Sequence, residues 1–128
     1  MQAECGIGCD IEEINRFYLD KTTDEKFLIR IFTPAELDYC YSFQNPAPHL
    51  ACRFCAKEAV MKAFCSIGEK SPEYRSIEIG NYPNGVPFVT ILRTGDDRSS
   101  KRFGIRVSLS HSETMAMAVA SVTREAVP

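Results

Sequence analysis

The sequence predicts one α+β domain, with helices first and a mainly antiparallel sheet after them. Three stretches carry that expectation. Leu50–Ser66, LACRFCAKEAVMKAFCS, is charged only at Arg53, Lys57, Glu58 and Lys62. It therefore forms a helix that is apolar most of the way round, and such a helix is buried. Beyond Tyr74 the apolar residues change to alternation, at Ile77 and Ile79 and again at Ile105, Val107 and Leu109, which is the period of strands. Cys5–Asp10 is a short apolar run broken by Gly6 and Gly8, a buried N-terminal strand against which another element packs closely. Helices followed by strands make an α+β fold.

With 128 residues the chain can close one hydrophobic core, so residues 1–128 form a single domain. A net charge of −2 gives no global attraction to nucleic acid. No apolar run approaches the ~18 residues of a membrane span, and the N-terminus has no basic region leading into an apolar core, so the expected location is the cytoplasm. Six cysteines without an export signal are expected to be reduced. Cys52-x-x-Cys55 has the spacing of a zinc or redox pair, but it lies inside the apolar helix and no second pair follows. Small buried hydrophobes are the simpler reading.

Taken in order, the strand at Cys5–Asp10 leads into a helix with Ile11, Ile14 and Phe17 or Tyr18 at helical spacing. Asp24–Phe32 is a short helical segment. Thr33-Pro34-Ala35-Glu36 supplies an N-cap, a favoured first residue and a capping box, opening a helix to about Ser42. Gln44–Pro48 is a loop before the central helix, and Gly68–Tyr74 a polar connection after it. Asn84-Gly85 marks a hairpin between Ile77–Ile79 and Val86–Leu92. Thr94–Arg102, TGDDRSSKR, is a polar loop with room for one helical turn. The last two strands are Arg106–Ser110 and Met115–Val122, joined by a turn at His111-Ser112-Glu113.

Few acids and bases stand where chemistry would place them. Asp10 ends a strand, Glu58 and Lys62 lie on the buried helix, and His111 ends another strand. Each has a bland alternative: an N-cap for Asp10, an i,i+4 pair for Glu58 and Lys62, a turn residue for His111. Two isolated carboxylates with lysines and an arginine are also the parts of a Mg²⁺–phosphate site, because Mg²⁺ is held by one or two carboxylates plus phosphates and waters, and Lys and Arg neutralise the remaining charge.

Gly6-Ile7-Gly8-Cys9-Asp10-Ile11 and Arg53-Phe54-Cys55-Ala56-Lys57-Glu58-Ala59-Val60-Met61-Lys62-Ala63 together resemble the paired signature of the holo-acyl-carrier-protein synthases, the small 4′-phosphopantetheinyl transferases. Ile31–Leu37 and Val107–Ser112 are similar to further blocks of that family, in the family's order, across nearly the whole chain. The resemblance implies the family's fold and Mg²⁺-dependent transfer of 4′-phosphopantetheine from coenzyme A to a serine of an acyl carrier protein, in fatty-acid or polyketide biosynthesis. It also implies a homotrimer with sites between subunits. By the same resemblance Asp10 and Glu58 are magnesium ligands, and Lys62 meets the phosphates. Arg53, Lys57 and His111 serve coenzyme A, and Arg16 and Arg30 the carrier protein. Either Glu58 or a metal-bound water takes the serine proton.

The chain departs from the family pattern in three places. Cys65-Ser66-Ile67-Gly68 replaces the family's Gly-rich turn, TGDDRSSKR is a poor version of an amphipathic helix, and Cys9, Cys52, Cys55 and Cys65 stand where small or apolar residues are expected. Two other functions compete with transfer. A degenerate, non-catalytic module of the same fold would dock carrier protein without binding coenzyme A, and a zinc or redox protein would use Cys52 and Cys55.

Overall fold

The computed structural model describes residues 4–92 and 103–125. The strands are β1 (Cys5–Glu13), β2 (Ile77–Asn81), β3 (Pro87–Ile91), β4 (Phe103–His111) and β5 (Met115–Arg124), and the helices are α1 (Glu25–Ile31), α2 (Pro34–Cys40) and α3 (Ala47–Ser66). They form the α+β domain that the sequence predicts. One antiparallel sheet has the order β1-β5-β4 and a second pairs β2 with β3. The polar stretch Thr94–Arg102 lies outside the described residues.

α3 is the axis of the molecule. Leu50, Ala51, Cys55, Ala56, Ala59, Val60 and Ala63 are fully buried along it. It starts three residues earlier than the sequence suggests, at Ala47, with Pro46 as N-cap, because a proline in the first turn costs no hydrogen bond. One face of the three-stranded sheet lies against this helix through small residues, Gly6 and Gly8 of β1 and Ala116, Ala118 and Ala120 of β5. The approach is close: a Cβ on Gly8 would stand 2.1 Å from the carbonyl oxygen of Ala59.

α2 begins as predicted. Thr33 Oγ1 accepts from the Glu36 N–H at 3.3 Å, and Glu36 Oε1 accepts from the Thr33 N–H at 2.9 Å. The Asn84-Gly85 turn also forms, Gly85 taking φ 90° where a side chain would be strained.

Two expectations are corrected. The chain after Asp10 does not enter a helix; β1 runs on to Glu13, paired with β5 as far as Met115, and only a four-residue 3-10 turn, Ile14–Phe17, follows. Ile11 consequently points to the outer face of the sheet, 60% exposed. The cysteines divide: Cys40, Cys52 and Cys55 are buried fillers, whereas Cys5, Cys9 and Cys65 are exposed, and all six are free thiols. Among the described residues no helix is long and apolar enough to cross a membrane.

Candidate active site

Because β1 is extended, residues two apart share a face, and Gly6, Gly8, Asp10 and Glu12 all turn toward α3. The glycines let the strand touch the helix, and where side chains resume, Asp10 and Glu12 meet the helix residues Glu58 and Lys62. Lys62 Nζ donates to the Cys9 carbonyl at 3.0 Å and lies 3.4 Å from Asp10 Oδ1. Lys62 therefore reaches across to the strand. Its own side chain is 54% exposed while that of Asp10 is only 11% exposed.

Asp10 Oδ2 is buried and has no hydrogen-bond partner, an expensive state for a carboxylate oxygen. Glu12 beside it is the group that responds. Burial first, then contact with Asp10 and the charges of Asp10 and Glu58, raise the Glu12 carboxyl to about 7, against the pull of Arg16. Arg16 Nη1 holds Glu12 Oε1 at 2.7 Å. A proton on Glu12 would give the Asp10 carboxyl a donor. Among the described residues no group of three His, Cys, Asp or Glu side chains is placed to hold a metal ion.

Glu58 is fixed from its other side. The Tyr74 hydroxyl donates a very short hydrogen bond to Glu58 Oε1. Burial, then this bond and the Glu58 charge, push the Tyr74 phenol up to about 12.

Lys57, the neighbour of Glu58, faces inward. Its Nζ donates to Glu36 Oε1 at 2.7 Å, to the Tyr74 carbonyl at 2.7 Å and to the Ile77 carbonyl at 2.6 Å. An ammonium has three donors, so all are used. The side chain is 0% exposed and has no surface to offer a ligand. Burial pulls its pKa below the usual lysine range, with the Glu36 charge opposing.

Arg53 is also buried, at 3% exposure, but not saturated. Nη2 donates to Asn81 Oδ1 at 2.7 Å, the guanidinium lies 3.9 Å above the Tyr39 ring, and Nε has no partner. His111 is exposed at the end of β4, its Nδ1 3.0 Å from the Ser112 carbonyl. It stands in one row with Ala116 and Glu12, two strand spacings or ~10 Å from Glu12. His49 lies within the field of both Arg53 and His111. Burial first, then those two charges, lower its pKa, and its ring stacks on Phe43 at 3.6 Å.

Arg16 is exposed beside Glu12. Arg30, in the last turn of α1, lines an open cleft of about 610 Å³ with Ile29, Met61, Tyr74 and Arg75. The fold thus gathers Asp10, Glu12, Glu58, Lys62 and Tyr74, keeps His111 on the helix-facing side of the sheet, and turns Arg53 and Lys57 toward α2 and β2. Glu12, Tyr74 and His49 are absent from the sequence reading. Glu12 was detectable as the i+2 partner of Asp10 had the strand been extended; Tyr74 gives no signal in sequence.

The chain belongs to the 4′-phosphopantetheinyl transferase superfamily, whose family profile matches residues 6–120. Within it, the chain is similar to holo-[acyl-carrier-protein] synthases. It is 38% identical over 121 residues to that of Thermodesulfovibrio yellowstonii, covering 92% of this chain and 97% of the relative. To that of Moorella thermoacetica it is 42% identical over 118 residues, covering 90% and 91%. The crystal structure of the Helicobacter pylori enzyme in complex with coenzyme A superposes with a TM-score of 0.72 at 28% identity, covering 93% of this chain and 99% of that one.

Proposed function

We propose that this enzyme transfers 4′-phosphopantetheine from coenzyme A to a serine of an acyl carrier protein, with Mg²⁺. The observation that carries the reading is the juxtaposition of Asp10, on β1, with Lys62 at 3.4 Å and with the carboxylates of Glu12 and Glu58, one oxygen of Asp10 being buried and without a donor. That orphaned oxygen fits a cation. Asp10 and Glu58 would hold Mg²⁺, which takes one or two carboxylates and completes its shell with phosphates and waters. When bound it supplies Lewis-acid neutralisation of the diphosphate.

The chain's own residues account for the rest. The serine oxygen forms a bond to the β-phosphorus, the bond from that phosphorus to the bridging oxygen breaks, and 3′,5′-ADP leaves with the electron pair. Charge on the diphosphate is the main obstacle, and the half-exposed Lys62 ammonium is free to meet it. Glu58, held by Tyr74, is the carboxylate positioned to accept the serine proton. Arg53 and His111 add positive potential on the coenzyme side. Arg16 and Arg30 are both exposed, Arg30 beside the half-exposed Ile29 in its cleft, and an acidic carrier protein would be drawn to such cations.

The enzyme works as a homotrimer in the cytoplasm. The outer face of the three-stranded sheet exposes Ile7, Ile11, Met117 and Val119 at 69, 60, 49 and 39%, an apolar patch that association would cover. Free cysteines suit a reducing compartment.

The test is transfer to a purified carrier protein, read as the mass gain of one phosphopantetheine group. Asp10→Asn and Glu58→Gln should each lower turnover at least ~10²-fold, the scale of one lost electrostatic contributor, with folding intact. Near-normal transfer by both variants would end this reading.

A further inference from the structure

The mechanism gives Tyr74 no step of its own, although its hydroxyl donates to the carboxylate on which the chemistry rests. Tyr74 opens the 3-10 turn Tyr74–Ser76 that leads into β2. It is held at three points. Its carbonyl accepts from the buried Lys57 ammonium at 2.7 Å. Its ring stacks on Phe54, with centroids 5.7 Å apart and planes inclined by 20°, and Phe54 in turn packs on buried Phe17 at 5.4 Å. Its hydroxyl, the only part with directional chemistry, points at Glu58 Oε1.

An ionised carboxylate can only accept, so the phenol must donate. The consequence is geometric. A glutamate on a helix has three side-chain torsions to fix; one anchored oxygen removes most of that freedom and leaves the second oxygen for a ligand. The anchor is itself anchored by Lys57, which precedes Glu58 in α3. One turn of helix thus sends Lys57 inward to hold the tyrosine main chain and Glu58 outward to be held by its hydroxyl. A tyrosine needed only for packing would serve as well as phenylalanine, since the stacking on Phe54 uses the ring alone.

We propose that Tyr74 is a positioning residue for the transfer reaction: its hydroxyl fixes the Glu58 carboxylate in the orientation in which Glu58 and Asp10 bind the divalent cation together. This rests on the functional reading above. Partners that orient a metal-ligating carboxylate are worth roughly 10–100-fold in metal affinity or activity, which sets the effect to look for.

The experiment uses Tyr74→Phe, which keeps the ring and its stacking. Mn²⁺ binding to the full-length protein with coenzyme A present is measured by electron paramagnetic resonance of the free ion, and transfer is measured in parallel as a function of Mg²⁺. The expected result is a Kd for Mn²⁺ raised at least tenfold, an equal rise in the Mg²⁺ concentration giving half-maximal rate, and an unchanged KM for carrier protein. A structural role alone would lower the melting temperature and leave the metal affinity where it was; wild-type Mn²⁺ affinity in Tyr74→Phe overturns the proposal. Glu58→Gln, run alongside, separates the two claims. If Glu58→Gln is inactive and Tyr74→Phe binds Mn²⁺ normally, only the positioning role fails. If Glu58→Gln transfers and binds metal like the wild type, the site itself has been misread and the proposal falls with it.

Discussion

Lys57 distinguishes sharply between a ligand-binding and a structural lysine, and Lys57→Met is the substitution that separates them. Methionine matches the stem and removes the ammonium. Three charge-assisted bonds are lost, at 2.7, 2.7 and 2.6 Å, and Glu36 is left with its negative charge at 1% exposure. Glu36 keeps the N–H groups of Thr33 and Ile79, which solvate but do not neutralise it. Removing one partner of a buried pair costs about 3–5 kcal/mol, out of a total stability on the order of 5–15 kcal/mol. For a domain of this length that corresponds to a fall in melting temperature of roughly 10–20 °C. Calorimetry and urea denaturation would read it directly. Replacing Glu36 as well, with glutamine, should return part of the loss, since the stranded charge goes. A Lys57→Met protein that melts with the wild type and loses only coenzyme A affinity would refute the reasoning and restore Lys57 as a ligand.

Further outcomes follow from the carboxylate cluster and from the outer face of the sheet. Burial and the Asp10 carboxylate raise the Glu12 carboxyl from the ordinary 4.5 to about 7, so between these values the native state binds more protons than the unfolded chain. Without divalent metal, stability should fall as pH rises through that window, and Glu12→Gln should flatten the slope in urea midpoints; the neighbours that set it are Asp10, Glu58 and Arg16. On the outer face, Val119→Lys should turn a trimer, three times the 14.4 kDa chain, into monomers by light scattering and abolish transfer with them. An active monomer would mean that each chain carries a complete site.

Some of this was written plainly in the sequence. Thr33, Pro34 and Glu36 declare a helix start through local chemistry alone, and Asn84-Gly85 declares a turn, because both are decided within four residues. Asp10, Glu58 and Lys62 stood out since charges on an apolar helix or at the end of an apolar strand need a reason. Ile11, by contrast, satisfies strand and helix spacing equally, and only its pairing with Met117 on β5 decides between them; the error concealed Glu12. At ~100° per residue Lys57 and Lys62 fall on different edges of one helix, but spacing alone does not say which edge is buried. What parts them is Glu36, a capping residue whose second task, receiving Lys57 and the Ile79 N–H, depends on tertiary packing that no local pattern encodes.

The same dependence on packing explains why a residue with no functional group should govern activity. Gly8 brings β1 to α3: a Cβ there would lie 2.1 Å from Ala59 O, 2.7 Å from Ala63 N and 2.9 Å from Lys62 Cβ. Two of these are helix backbone and cannot swing aside, so Gly8→Ala must lift the strand by about 1 Å to restore ordinary contact. Overpacking of this kind costs about 1–3 kcal/mol, which the fold can survive. Asp10 is two residues further along the same strand, on the same face, and moves with it, away from Lys62 and Glu58. A misplacement near 1 Å can cost ~10²-fold in rate. Gly8→Ala should therefore remain folded by circular dichroism yet lose transfer nearly as severely as Asp10→Asn. Gly104→Ala is the control, because among the described residues a Cβ on Gly104 meets nothing nearer than Glu125 Oε1 at 3.8 Å, and it should transfer at the wild-type rate. If Gly8→Ala does so too, the strand is not what sets Asp10 against the helix, and the close approach serves packing alone.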